Sequence, residues 1–170
     1  MSADTYNIRI AGLVEESMVD GEGVRFTIFT QGCARNCKGC HNPTTHDIDK
    51  GKLISVDSLC KKMISSPLIN GLTLSGGEPF IQPKQCRALA EFAHKHDLTV
   101  WVYTGYTFEE LIGFNHYHDL ALLKNIDVLV DGPYIESLRD LTLRFRGSSN
   151  QRILDVKKSL EKMEPVIYIE

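Results

Sequence analysis

Three thiols crowded into one short stretch constrain this chain more than any other feature: Thr30-Gln-Gly-Cys33-Ala-Arg-Asn-Cys37-Lys-Gly-Cys40-His-Asn-Pro43. Spacing i, i+4, i+7 would set buried cysteines on one face of a helix. Gly32 and Gly39 interrupt that pattern, however, and Asn42-Pro43 ends it. The apolar run Val24–Phe29 just before it reads as a strand. The fold must therefore contain a strand that runs out into a loop wrapped around whatever the thiolates hold. Three thiolates at C-x3-C-x2-C suit three irons of a [4Fe–4S] cube, whose usual ligand set is four cysteines. The fourth iron is then open, and an open position separates a reactive metal site from a closed structural one. Zinc is the alternative, with His41 or His46 completing a Cys3His set. His41 is poorly placed to turn back from Cys40 onto the same ion, and no second C-x2-C knuckle exists. Five cysteines, odd in number and with three side by side, disfavour a disulfide framework.

Cys60 and Cys86 fall on apolar stripes at helical spacing, with Leu59 and Met63 in one case and Leu89, Ala90 and Ala93 in the other. Both are expected to be buried core residues. A chain of 170 residues is long enough for one domain, 1–170, with a substantial core. Its net charge of -3 gives no reason to expect nucleic acid or an anionic membrane as partner. The opening stretch Met1–Ile10 has no apolar signal core and no run reaches membrane-spanning length, so a cytoplasmic location is expected.

Strands are expected at Tyr6–Leu13, Val24–Gln31, Gly71–Ser75, Thr99–Tyr103, Asp127–Asp131 and Val166–Ile169. Helices are expected at Val56–Ser65, Lys84–His96, Phe108–Gly113 and Leu120–Lys124. This alternation predicts an α/β fold with a mostly parallel sheet. A closed eight-stranded barrel needs about 250 residues, so the sheet should be a partial, open (β/α) barrel or a curved open sheet. Ligands of such sheets bind at the carboxyl ends of the strands. The cysteine loop lies there, and so does Thr73-Leu-Ser-Gly76-Gly77-Glu78-Pro79. Its two glycines permit positive φ and close backbone approach, and Glu78 is suited to a cationic amino group. The motif alone is weak and would also fit an ordinary strand-to-helix turn.

Together the three-cysteine loop and the downstream G-G-E-P resemble the radical S-adenosylmethionine superfamily. Asp20-Gly-Glu-Gly-Val-Arg25-Phe26, leading into the cysteines, resembles its glycyl-radical-enzyme activases. Trp101-Val-Tyr-Thr-Gly-Tyr106, Asp127-Val-Leu-Val-Asp-Gly132 and Arg146-Gly-Ser-Ser-Asn-Gln-Arg152 are similar to the branch serving the anaerobic (class III) ribonucleoside-triphosphate reductase. The similarity runs from Ile8 to Asp155. Members commonly have Asp where this chain has Glu78, and Tyr-Asn where it has His41-Asn42. The His41 variant also occurs in activases of pyruvate formate-lyase, which keeps another glycyl radical enzyme open as the partner.

The resemblance implies a radical S-adenosylmethionine barrel, and a [4Fe–4S] cluster on Cys33, Cys37 and Cys40 whose open iron chelates the amino and carboxylate groups of S-adenosylmethionine. One electron, from a low-potential donor such as flavodoxin or ferredoxin, would cleave the sulfonium to methionine and a 5′-deoxyadenosyl radical. That radical would remove a hydrogen from a glycine Cα of the reductase. It further implies cofactor contacts at Gly39, Cys40, His41, Gly76, Gly77, Glu78, Thr104, Gly105 and Asp131, with an exposed ring the other reading for His41, and turn geometry or strand capping the other reading for Thr104, Gly105 and Asp131. Asp20, Arg25, Arg146, Ser148 and Asn150 would meet the partner protein, with a surface ion pair the other reading for Arg25, and contact with the cofactor or a solvated loop the other readings for Ser148, Ser149 and Asn150. No side chain is assigned as acid, base or nucleophile, since the radical chemistry resides on the cofactor. A small zinc-binding interaction module on the same cysteines is the reading of a different class. His94, His96, His116 and His118 have charged neighbours and are expected on the surface.

Overall fold

The computed structural model describes residues 7–170, so Tyr6 of the expected first strand lies outside the described residues. Strand β1 (Asn7–Ser17) pairs antiparallel with β2 (Arg25–Thr30) and, on its other side, with β3 (Lys52–Ser55). Four strands then lie side by side in one direction: β2, β4 (Gly71–Gly76), β5 (Thr99–Tyr103) and β6 (Val128–Asp131). Beyond them, β7 (Arg152–Asp155) pairs antiparallel with β6, and β8 (Ile167–Ile169) antiparallel with β7. The order is β3-β1-β2-β4-β5-β6-β7-β8, an open sheet with β3 and β8 at its edges. The expected mostly parallel sheet is thus corrected to a mixed one: a parallel centre flanked by antiparallel pairs.

Side chains alternate across a strand, and here the two faces differ in kind. Phe26, Ile28, Leu72, Leu74, Val100, Val102, Leu129 and Leu154 belong to the larger core. Helices α1 (Val56–Met63), α2 (Pro83–Lys95), α3 (Phe108–Phe114) and α4 (Tyr117–Leu123) cover that face. Cys60 on α1 and Cys86 on α2 are both buried in it, as their spacing implied. The other face carries Arg25, Thr73, Trp101 and Tyr103, and a smaller cluster forms where Trp101 meets Val128, Val130, Ile153 and Phe145. Burying a Leu- or Phe-sized side chain is worth about 1.5–3 kcal/mol, so the helical layer contributes most of the stability and leaves the opposite face for polar residues.

Local signals set the helix starts. Ser55 accepts from Ser58 N ahead of α1, and Thr107 with Glu110 forms a reciprocal capping box on α3. Asp155 caps α5 (Val156–Lys162) in the same way. Among the described residues no helix is long and apolar enough to cross a membrane.

Candidate active site

The four parallel strands end together at Thr30, Gly76, Tyr103 and Asp131, and the loops that follow them are stitched to one another. After β2 the chain turns at Gly32 (φ +100°), whose N–H donates to Thr45 O at 2.8 Å, while Cys33 N donates to His46 O at 3.1 Å. Gln31 Nε2 donates to the carbonyls of Thr44 and Asp47, holding the returning limb of the loop. Cys33, Cys37 and Cys40 are partly exposed and line one pocket together with Gly76, Gly77 and Glu78. The sequence thus brings both motifs to one hollow.

Burial pushes the Cys33 thiol up, although the N–H groups of Arg35 and Asn36 bond its sulfur; Asn42 N likewise donates to Cys40 Sγ at 3.4 Å. Such a thiolate needs a positive partner. Among the described residues no three Cys, His, Asp or Glu side chains gather closely enough to hold a single metal ion. Three cysteine sulfurs on one pocket, with backbone N–H groups beside two of them, are donors of the kind that hold iron–sulfur clusters.

The glycines divide their labour. Gly76 takes the left-handed conformation (φ +94°), and a Cβ there would lie 2.6 Å from Phe29 Cα and Thr30 N. Gly77 does not have positive φ; it is small because the two loops meet there. Its N–H donates to Thr30 O and Glu78 N donates to Gly32 O, each at 2.8 Å. A Cβ on Gly77 would stand 2.3 Å from Gly32 O. Positive φ, expected for both, belongs to Gly76.

Glu78 is 1% exposed and both its oxygens are engaged. Oε1 accepts from Thr104 Oγ1 (2.9 Å) and Phe80 N (3.2 Å), and Oε2 from Gly105 N (2.9 Å). Burial raises its pKa to about 7 against these donors and the Arg35 charge. In this structure it fastens the β4 loop to the β5 loop, which places Thr104 and Gly105 on the same pocket wall.

Other expected residues fall in different places. Gly39 (φ +72°) packs against the Glu136 carboxylate, and His41 is exposed with its ring 5.0 Å from that of Tyr134. Asp131, expected at the cofactor, is fully buried: its carboxylate accepts from Arg152 Nε and Nη2 and from Phe108 N. Arg25, expected at the partner or in a surface ion pair, is 1% exposed. Its guanidinium donates to Thr73 Oγ1, Thr99 Oγ1 and O, Leu72 O and Glu22 O. Burial lowers its pKa to about 10. Thr73 Oγ1 in turn donates to Asp20 O, so Arg25 braces the loop before β2 from inside. Ser148 is fully buried and its Oγ accepts from Ile135 N, which removes it from any outer surface.

Asp20 and Arg146 line a second pocket, continuous with the first through Cys40, Ser75, Gly76, Tyr103, Tyr134 and Gln151. Asn150 Nδ2 donates to Pro133 O, while Gln151 accepts from Gly147 N and Ser148 N and donates to Gly132 O. The R-G-S-S-N-Q-R stretch therefore folds onto the end of β6. Sequence reasoning passed over Arg35, Tyr103, Tyr134 and Gln151, all of which line the first pocket. For Arg35 a signal existed in its position between two cysteines.

Residues 19–154 match the 4Fe-4S single cluster domain family. Curated relatives named anaerobic ribonucleoside-triphosphate reductase-activating protein include that of Haemophilus influenzae, 37% identical over 147 residues (80% of this chain, 90% of the relative). That of Vibrio cholerae is 36% identical over 145 residues (80% and 90%). That of Enterobacteria phage T4 is 33% identical over 142 residues (79% and 86%).

Proposed function

The chain belongs to the family of anaerobic ribonucleoside-triphosphate reductase-activating proteins, built on a single 4Fe-4S cluster domain, and from that premise we propose that it cleaves S-adenosylmethionine reductively and installs a glycyl radical on the class III reductase. The observation that carries this reading is the single pocket lined by Cys33, Cys37, Cys40 and the Gly76-Gly77-Glu78 loop, open to a second pocket on the polar face of the sheet.

Cys33, Cys37 and Cys40 would hold the cluster. When bound, it supplies an open iron for the methionine amino and carboxylate groups and the electron that breaks the sulfonium bond. The remaining work falls to the chain. The seam at Gly76 and Gly77 leaves no room for side chains, so a cofactor in this pocket meets backbone. Glu78 keeps that seam registered to Thr104 and Gly105. Cys40 and His41 line the second pocket, where the His41 ring lies against Tyr134, and Gly39 beside them would approach the cofactor through its backbone. The second pocket, with Asp20 and Arg146 at its wall and Asn150 behind it, would admit the glycine-bearing segment of the reductase. An open sheet, as in a partial barrel of the radical S-adenosylmethionine type, leaves a protein segment free to reach the radical carbon and, once seated, to exclude water from it. A low-potential donor of the flavodoxin or ferredoxin class, in the cytoplasm, would supply the electron.

The test is anaerobic incubation with the class III reductase, reductant and S-adenosylmethionine, followed by electron paramagnetic resonance. A glycyl radical signal on the reductase is expected. Intact cluster and cofactor cleavage without that signal would overturn the assignment of partner.

A further inference from the structure

Arg35 lies between two of the cysteines and its side chain turns onto the neighbouring loop. Its guanidinium sits 4.4 Å from the centroid of the Tyr106 ring, and Nη2 donates to Glu110 Oε2 at 3.0 Å. Gly105 is pressed so closely beneath it that a Cβ there would come within 2.6 Å of Arg35 Cδ. Nε is buried without a partner. Arg35 also lines the pocket with the three cysteines, and among the described residues it is the one Lys or Arg side chain that does so.

We propose that Arg35 is a positioning and charge-tuning residue for the cluster: it pins the cysteine loop to the turn after β5 and raises the reduction potential, with Glu110 as the counter-charge that trims it. The inference rests on the cluster reading above. One-electron reduction adds a negative charge to the cluster, and iron–sulfur potentials respond to nearby charge, hydrogen bonds to sulfur and solvent exposure. A cation on the wall of a partly dry pocket favours the reduced form. The Arg35 side chain is 23% exposed and that of Glu110 43%, so the acid is screened by water more than the base and cancels it only in part. The unpartnered Nε adds a hydrogen-bond donor on the same wall. Lys38, the other cation of the loop, is 91% exposed and paired outward with Glu136, so its field is mostly lost to solvent.

The test is a redox titration of the reconstituted protein with dithionite, followed by electron paramagnetic resonance, on wild type, Arg35→Gln, Arg35→Lys and Glu110→Gln. Glutamine at position 110 retains the oxygen that caps α3, so that variant should keep its fold. Arg35→Gln should lower the ratio of reduced to oxidised cluster at fixed poise about tenfold, a shift of about 59 mV to more negative potential for one electron. Glu110→Gln should shift the midpoint the other way, and Arg35→Lys should stay near wild type because the charge is kept. A purely structural latch predicts otherwise: looser loops and lost iron in both Gln variants, with no opposed movement of the potential. Equal midpoints at full iron and sulfide content, or shifts of the same sign, overturn the proposal. If Arg35→Gln does not retain its cluster, the sign for Glu110→Gln decides. A wild-type protein that takes up no iron or sulfide defeats the cluster reading instead, and that result is distinct from unmoved midpoints.

Discussion

A methyl group at position 77 forces the cysteine loop and the glycine loop apart. In Gly77→Ala the new Cβ would stand 2.3 Å from Gly32 O and 2.9 Å from Gly32 C, and contacts below 3.0 Å essentially do not occur. The seam must open by about 0.7 Å (3.0 − 2.3), and both opposing atoms are backbone, so no side chain can swing away. Opening it strains the 2.8 Å bonds from Gly77 N to Thr30 O and from Glu78 N to Gly32 O. Overpacking costs about 1–3 kcal/mol and each lost bond about 0.5–1.5 kcal/mol. The total, about 2–6 kcal/mol, is a large share of a typical stability of about 5–15 kcal/mol. Anaerobic urea unfolding should show the loss, and calorimetric titration should show at least tenfold weaker S-adenosylmethionine binding in whatever remains folded. Wild-type stability and affinity together would refute the reasoning that this seam positions the cofactor.

Three further outcomes are expected. Alanine at Cys33, Cys37 or Cys40 should abolish bound iron and labile sulfide, whereas Cys60→Ala and Cys86→Ala should keep both and lose only packing, since those thiols sit in the core; metal and sulfide analysis decides it. Arg25→Met should cost about 2–4 kcal/mol in urea unfolding, because the carbonyls of Leu72 and Thr99 lose their buried donor. Glu78, with a folded pKa of about 7 against an ordinary 4.5, holds its proton longer in the folded than in the unfolded state. Stability should therefore fall as pH rises between about 4.5 and 7, by up to roughly 3 kcal/mol, and Glu78→Gln should flatten that part of the profile; an unchanged slope in the variant would assign the pH dependence elsewhere.

The sequence made the helical layer and the four parallel strands legible because their periods were unbroken and their lengths ordinary. It concealed β3, β7 and the short helix α5. Lys52–Ser55 is a four-residue edge strand with only Leu53 and Ile54 apolar and no residue buried, too short to show an alternating pattern. Arg152–Asp155 buries only Ile153 and Leu154, one toward each face of the sheet, and looks like the tail of a polar loop until β6 is beside it. The expected helix at Leu120–Lys124 begins earlier, at Tyr117. At the site, the cysteines and the Gly-Gly-Glu turn were readable because their chemistry is local to a few adjacent residues. Arg25 was not, since its acceptors on Leu72 and Thr99 arrive from strands 47 and 74 residues away. The partner of Asp131 was hidden for the same reason: Arg152 is 21 residues further on, across an antiparallel pair. A polar side chain at a strand end reads alike whether it faces a ligand or a distant ion partner.

The central claim is that this chain moves a hydrogen atom from a reductase glycine to the 5′ carbon of the cleaved cofactor. The most direct measurement uses class III reductase biosynthesised with α-deuterated glycine, incubated anaerobically with the protein, reductant and S-adenosylmethionine. Mass spectrometry of the 5′-deoxyadenosine should find deuterium in proportion to the radical formed on the reductase. A full radical yield with unlabelled 5′-deoxyadenosine would contradict the account.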